Sequence, residues 1–564
     1  MKRLIWGTVD IETGRDGRVL AIGFYYHDPQ PVYHELSNWQ EFLRHIEHRG
    51  IGRVYAHNGG GFDYLSLLPE LTGGWTWDAI VVAGKVIAIN ITRGDYSCSL
   101  HDSYRIAPVS LEKLSQSLLG KGKTESVFVH PEDLLVDRQR FSDYLRADCE
   151  LLHGCLLKMM ENYQTISPRF KQFGATAGGT SMRLWRSTQP PSFKRPQSDK
   201  LNRILKAAYK GGRCECFTPG EFNAVKCYDV NSMYPWAMVH AQVPVTGRVV
   251  PTNIFDGRPG VWRVKFAQSR GTVPILTVNG TGAMEGESWY YTPELKMAAD
   301  YGVKIEVIEG YKFVDYTANL FRSFVQKLWD IREKYGSQSG FGLVAKLAMN
   351  NLYGKMGQGD KIESVVKSQD REMLIAKNAR PVDPENDIWL ITDDHQCDHQ
   401  HYGIAGTITS YSRSYLAELL SDNSPIYCDT DSIHTQQHMT TTVGLGGLKL
   451  EKTAEIGIYA GRKMYGMLAD GRENVRIKGI KCGTDRSKVE HKDGLEWYVN
   501  LEMLRELLNG RTLTAKYRSF PTALEVLSRN RKPCKLTART RRVAMLQRER
   551  LMLPPQYQQA WSLR

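Results

Sequence analysis

The 564 residues include 74 Lys and Arg against 61 Asp and Glu, a net charge of +13, with 41% hydrophobic and 10% aromatic side chains. This composition can fill several cores and excludes a disordered, collagen-like or coiled-coil chain, and a single small binding module. The basic excess points to phosphate backbones or anionic surfaces. Ten cysteines without a CxxC pair point to a reduced intracellular setting.

In chain order, the opening MKRLIWGTVDIE lacks the pattern of a secretory signal. Leu4–Ile11 reads as a strand, Val19–Tyr26 as its hairpin neighbour and Trp39–His48 as a helix. The greasiest stretch, Ala79–Ile91, is broken by Lys85 and is too short to cross a bilayer, so no membrane association is expected. Ser142–Tyr163 reads as a long helix closing an α/β region. Gln189–Lys200 is a basic, proline-containing connection, and Val225–Asp229 a strand leading into a turn before Pro235. Thr317–Lys334 and Gly342–Leu352 read as helices, and Ser424–Ser432 as strand, turn, strand. Arg531–Arg550 holds eight basic residues and only Glu549 as acid. It reads as a nucleic-acid-backbone face, against the plainer alternative of a solvated surface.

Three acidic segments of the N-terminal region gain meaning together. In VDIET, Asp10 and Glu12 share one face of a strand, where a bare polar edge is the plain alternative. In YAHNGGGFD, glycines allow a tight turn that presents Asn58, Phe62 and Asp63. In YLRAD, Tyr144 and Asp148 share a helix face. Asp10, Glu12, Asp63 and Asp148 can hold two divalent ions while Tyr144 positions an attacking water, which is phosphodiester hydrolysis chemistry. Asp102 and Ser110 are candidates for a further strand-binding surface, with Lys121 or Lys123 reaching a phosphate as the alternative to the favoured reading of both lysines as solvent-facing.

DIE, NGGGFD and YLRAD resemble, in order, the motifs of the DEDD-type 3′–5′ exonuclease of family B DNA polymerases. The resemblance implies that Asp10, Glu12, Asp63 and Asp148 carry metals, that Asn58 and Phe62 hold a single-stranded 3′ end, and that Tyr144 assists hydrolysis.

A second set follows. DVNSMYP places Asp229 at the end of an apolar run, before a turn that exposes backbone N–H groups to phosphates. KLAMNNLYG reads as a helix carrying Lys346, Asn350 and Tyr353, with Gly354 allowing close approach. YCDTDS sets Asp429 and Asp431 on either side of a tight turn. The three resemble polymerase motifs A, B and C of the same family. That implies a right-hand palm with Asp229, Asp431 and the Val230 backbone as metal ligands and Asp429 as acidic support. Val230, Ser232, Met233, Tyr234, Lys346, Asn350, Tyr353 and Gly354 would bind the nucleotide, Tyr234 acting as a steric gate against a 2′-OH. Asn351 departs from the serine common in the second motif. YKGG (Tyr209, Gly211 and Gly212) resembles the YxGG segment and GRKMYG (Lys463 and Tyr465) the KxY motif; with Lys478 these imply DNA contacts.

The motif intervals resemble the protein-primed family B polymerases of bacteriophages and linear mobile elements. The fold class implied is α/β and α+β multidomain, a ribonuclease-H-like exonuclease followed by palm, fingers and thumb with terminal-protein-region insertions. The corresponding segments are 1–165 exonuclease, 166–224 linker with YxGG, 225–249 first palm segment, 250–334 first insertion and 335–358 fingers. Residues 359–402 would be the second insertion, 403–485 the second palm segment, and 486–564 the thumb with the basic C-terminal region. The implied cofactors are Mg²⁺, or Mn²⁺ in its place, in two-metal sites of both domains, with dNTP substrates. The implied partners are primer–template DNA, a terminal protein and a single-stranded-DNA-binding protein, for a monomer in the host cytoplasm or at a replicating mobile element. Competing readings are a primer-independent or DNA-primed polymerase, a reverse transcriptase or RNA polymerase, and a nonenzymatic replication or packaging factor. His395, Cys397, His399 and His401 have spacings unlike a structural zinc site and read as a polar loop.

Overall fold

The computed structural model describes residues 4–123, 131–189, 193–269, 273–359, 361–394, 397–478, 500–528, 531–535 and 537–546. The chain divides into two compact units, one of residues 1–191, 326–398 and 519–537, the other of 192–325, 399–518 and 538–564.

The first unit is built on a ten-stranded sheet. Its spatial order is Arg380–Asp383, Ile388–Asp394, Lys361–Lys367, Thr76–Val82, Lys85–Arg93, Tyr96–Asp102, Ile51–Ala56, Ile5–Thr13, Val19–His27 and Pro31–Leu36. Ile5–Thr13 runs parallel to Ile51–Ala56 and antiparallel to Val19–His27. Side-chain alternation sends Val9 and Ile11 into a core with Phe42, Leu43 and Ile46, and turns Thr8, Asp10 and Glu12 to the opposite face. On that face Thr8 Oγ1 donates to the Cys149 carbonyl at 2.8 Å, fixing the helix Arg138–Ile166 against the sheet.

Helix Trp39–His48 has the bounds its sequence predicts. Asn38 accepts from the Glu41 N–H at 2.9 Å, and Gly50 follows with φ 63°, so both ends carry their usual chemistry. The long helix begins at Arg138, ahead of the expected Ser142, because Asp137 accepts from the Arg140 N–H at 3.1 Å. Its buried stripe includes Phe141, Leu145, Cys149, Leu152 and Leu156, and one acid, Asp148. Ala79–Ile91 is a hairpin: Ala83 and Gly84, at φ 50° and 75°, turn between two strands of the sheet. Lys361–Lys367 pairs antiparallel with Thr76–Val82, so a segment far along the chain extends the N-terminal sheet.

KLAMNNLYG is not one helix as expected. Gly340–Asn350 ends where the Asn351 amide Nδ2 donates to the Leu347 carbonyl at 2.8 Å, and Leu352–Met356 starts afresh. The residue that departs from the family pattern thus caps its own helix.

The second unit contains a seven-stranded sheet in the order Arg472–Ile477, Met464–Ala469, Leu448–Gly461, Gly220–Val230, Ser432–Thr435, Tyr427–Asp429 and Cys214–Cys216. Helix Tyr402–Ser421 packs Leu416 and Leu420 against Tyr228, Val230 and Ile433. A four-stranded sheet (Val249–Thr252, Lys304–Phe313, Gly260–Ala267, Glu285–Tyr291) encloses a separate core around Trp262, Tyr290 and Leu295. The helix expected from Thr317 starts only at Arg322, since Thr317 pairs with Val243 in a short ladder. Among the described residues every cysteine is a free thiol, and no helix is long and apolar enough to cross a membrane.

Candidate active sites

In the first unit, Asp10 and Glu12 on their strand meet Asp148 on the long helix, with carboxylate oxygens all within 4.8 Å of one another. Among the described residues this is the one cluster of three or more metal-ligating side chains. Asp63 lies close enough to raise the Asp10 carboxyl. It is buried at the start of the short helix Asp63–Leu67, and its Oδ1 has no hydrogen-bond partner. Tyr144 lies one turn before Asp148, and burial, then Glu12 and Asp148, raise its phenol.

The loop that carries Asp63 is held from several sides. His57 binds Ser103 Oγ through Nδ1 at 3.0 Å and the Val109 carbonyl through Nε2 at 2.9 Å. Asn58 takes the left-handed conformation at φ 64°, which asparagine tolerates better than most residues. A Cβ on Gly60 would lie 1.7 Å from the Val86 carbonyl oxygen. Gly60→Ala is therefore expected to destabilise the protein by about 1–3 kcal/mol and to displace Asp63, measured as a lower melting temperature together with slower 3′-end hydrolysis. Phe62 packs edge-on to Phe520 with ring centroids 5.0 Å apart. Asp102 is buried and caps the short helix after it by accepting from the Tyr104 N–H at 3.0 Å. Ser110 likewise caps Leu111–Leu119. Both have structural roles in the fold.

Lys123 corrects the sequence reading. It is not solvent-facing: its Nζ sits 2.5 Å from Asp148 Oδ2 and 5.8 Å from the centroid of the Tyr144 ring. Although burial opposes its charge, Asp148 and Tyr144 hold the ammonium above its ordinary range. No local sequence signal marks Lys123, because it reaches Asp148 only through the packing of the long helix. Lys123→Met is expected to slow 3′-end hydrolysis of a labelled single strand by about 10–100-fold, the scale seen for groups that orient metal ligands. An unchanged rate would remove Lys123 from the site.

Burial, then mutual repulsion, drives the carboxyls upward. Glu12 reaches about 8, with burial first and Asp148 next, and Asp63 reaches about 7 through burial. Their ordinary values are 4.5 and 3.8, so between these limits the folded protein binds more protons than the unfolded chain. Metal-free stability is then fully present below the ordinary values and is lost as pH rises through 7 and 8. Melting in a chelator is expected to fall from about pH 5 to about pH 8, with divalent metal restoring most at the alkaline end. A metal-free profile that rises over that interval would contradict the assignment.

In the second unit, Asp229 lies on the central strand Gly220–Val230, opposite Ser432 on one side and Lys449 on the other. Lys449 Nζ is 3.1 Å from Asp229 Oδ2. Asp429 and Asp431 flank Thr430, whose φ of 66° and the Asp431 N–H···Asp429 carbonyl bond of 2.8 Å close the turn. The Val230 N–H donates to the Asp431 carbonyl at 2.9 Å. Burial and then Asp229 push Asp431 up to about 6, so these two face each other. Asp429 instead meets Lys463 Nζ at 2.5 Å.

Ser232, at φ 50°, opens the helix Met233–His240, which buries Met233 in the core and carries Tyr234. A Cβ on Gly212 would meet Tyr234 Oη at 2.9 Å and Thr430 Cγ2 at 2.8 Å, so that glycine permits the approach of YKGG to the acidic turn. Tyr209 stands beside Tyr402 at 6.2 Å, and Gly211 offers its carbonyl to Arg413 at 2.8 Å. Tyr465 joins Tyr427, 4.8 Å away. Lys478 is exposed at the end of its strand. In the first unit Lys346 and Gly354 are exposed on their helices, with Asn350 and Tyr353 half-buried.

Two residues that sequence reasoning missed order this region. Arg413 is buried, pairs with buried Glu294 through bonds of 2.9 and 2.5 Å, and donates to the carbonyls of Lys210 and Gly211. Both lie far from the motifs in sequence. His395 and residues 547–550 of the basic tail lie outside the described residues. His401 caps the helix Tyr402–Ser421, its side chain accepting from the Ile404 N–H.

The solved structure of phi29 DNA polymerase with primer–template DNA and incoming nucleotides superposes with a TM-score of 0.71 at 18% identity, covering 97% of this chain and all of that one. The fold is therefore that of the phi29-type polymerases. Residues 137–442, more than half of the chain, match the family described as DNA polymerase type B, organellar and viral. The chain belongs to that family. Among curated relatives, a protein of Ascobolus immersus named "probable DNA polymerase" is 27% identical over 89% of this chain, which spans 49% of that protein. The DNA-directed DNA polymerase of Enterobacteria phage PRD1 is 26% identical, with 76% and 75% of the two chains covered.

Proposed function

We propose that the chain is a DNA-templated DNA polymerase with a 3′–5′ proofreading exonuclease, and that it starts synthesis from a hydroxyl of a terminal protein. The reading is carried by two separate carboxylate centres, Asp10–Glu12–Asp148 and Asp229–Asp431, on one phi29-type chain. The relative solved with primer–template DNA and incoming nucleotides supports the same substrates here.

Both centres fit a hard divalent cation, Mg²⁺ or Mn²⁺. The donors are all oxygen, the buried acids repel one another, and Asp63 Oδ1 has no hydrogen-bond partner. Paired divalent ions, when bound, activate the attacking oxygen and stabilise the departing one.

The protein's own groups supply the rest. In the palm, Asp229 and Asp431 hold the cations, Lys463 and Lys449 balance the acids, and the Tyr234 ring limits the sugar edge of the nucleotide. In the exonuclease, Tyr144 directs water at the terminal phosphate while Lys123 opposes the burial that raises the Asp148 carboxyl. Asn58 and Phe62 bound the loop that receives the single-stranded 3′ end.

The phi29-type likeness supports the reading of terminal-protein initiation, and a replicating element inside a cell is the setting proposed with it. Incubating the chain and Mg²⁺ with α-labelled dNTPs, a primed DNA template and a preparation of the element's end-linked protein is expected to attach label covalently to that protein. Label found only on DNA primers would overturn initiation and leave elongation standing.

A further inference from the structure

Under the YKGG segment the second unit holds a cavity of about 360 Å³, lined in part by Lys210, Gly211, Gly212, Arg213, Arg413 and Arg462. In its wall Arg213 pairs with Glu215 at 2.7 Å and Arg413 with Glu294 at 2.5 Å. Lys210 has no carboxylate within ion-pair distance among the described residues. Its Nζ donates to the Thr277 carbonyl at 3.1 Å and lies 3.4 Å over the centroid of the Tyr290 ring. Gly280, on the cavity wall, sits against the Arg462 guanidinium, which a Cβ there would approach at 3.4 Å. The cavity thus combines an amine, guanidinium groups and a glycine-bearing backbone, a combination suited to a ligand with a phosphate and an electrophile.

We propose that Lys210 is an imine-forming residue that captures an aldehyde bearing a phosphate, with Arg462 and the Gly211–Gly212 backbone receiving the phosphate. The neutral amine of Lys210 adds to the aldehyde carbon and transfers a proton to the oxygen, giving a carbinolamine. The carbinolamine expels that oxygen as water and leaves a carbon–nitrogen double bond, and hydrolysis returns both partners. No oxidant or reductant is needed.

Burial, with Arg413 adding to it and Glu294 opposing, lowers the Lys210 ammonium to about 7. A desolvated lysine among cations is the arrangement that makes an amine nucleophilic near neutrality. The groups facing it are Glu294, Arg413 and the Tyr290 ring, with Arg213, Glu215 and Arg462 around the cavity. Nucleotidyl transfer and hydrolysis as described above make no use of this amine, and the inference stands independently of them.

The aldehyde phosphate can be the ring-opened sugar of an abasic DNA strand or a free small molecule. Two probes separate them, an end-labelled oligonucleotide with one abasic site and pyridoxal 5′-phosphate, each incubated with the full chain in a chelator and fixed with borohydride. Mass spectrometry of the digest is expected to place the reduced adduct on Lys210, with trapping that rises as pH passes through about 7. Adduct at Lys210 with the oligonucleotide alone assigns a DNA source, with pyridoxal phosphate alone a small-molecule source, and with both the shared chemistry. Lys210→Arg keeps the charge and cannot form the imine. With its fold verified by circular dichroism, it is expected to lose the adduct, as is Lys210→Ala. No adduct at Lys210, or an equal yield in Lys210→Arg, would overturn the proposal, whatever the polymerase assays show.

Discussion

Asp229→Ala is expected to suppress dNTP incorporation by at least about 10²–10³-fold, the scale for removing one preorganised electrostatic stabiliser from a reacting centre. The side chain is placed at the middle of the sheet by two ladders, with Ser432 and Lys449 opposite it. It also raises the carboxyl of Asp431, so its removal relieves a repulsion and lets Asp431 ionise more easily. The freed Lys449 is 43% exposed and can turn to water. The variant should therefore fold normally and still degrade a 3′ end. Primer extension beside single-strand degradation, with a melting curve as control, checks all three points.

Asp10→Ala is expected to have the converse effect, slowing 3′-end hydrolysis by at least about 10²–10³-fold while extension persists. Asp10 shares its face with Glu12 and meets Asp148 within 4.8 Å. In the metal-free protein the change removes a carboxyl held well above its ordinary range by burial, Asp148, Asp63 and Glu12. The alkaline loss of stability should shrink accordingly. Degradation of a labelled single strand and metal-free melting at two pH values measure both effects.

Much of the first site was legible because its geometry is local. Period-two alternation set Asp10 and Glu12 on one face, and four-residue spacing set Tyr144 beside Asp148. Asn58 and the glycines of the next segment announced a turn that the left-handed Asn58 and the crowded Gly60 now explain. Lys123 was misread because its meaning depends on the approach of a helix whose carboxylate lies 2.5 Å from its Nζ. Arg413 and Glu294 were illegible for the same reason: a buried ion pair between distant segments has no period and no motif. The helix break at Asn351 was hidden by an apolar run that favours continuation, until the amide turned back on the Leu347 carbonyl. Likewise, only strand pairing could reveal that Lys361–Lys367 extends the N-terminal sheet.

The proposed function requires the two carboxylate centres on one chain to perform separable reactions. The most direct measurement offers a primer–template with a mispaired 3′ end, Mg²⁺ and dNTPs to the unaltered protein, Asp10→Ala and Asp229→Ala. The unaltered protein is expected to remove the mispair and then extend, Asp10→Ala to leave the mispaired nucleotide in place, and Asp229→Ala to degrade without resynthesis. Loss of both activities in either folded single variant, or extension by Asp229→Ala at the unaltered rate, would contradict the proposed function.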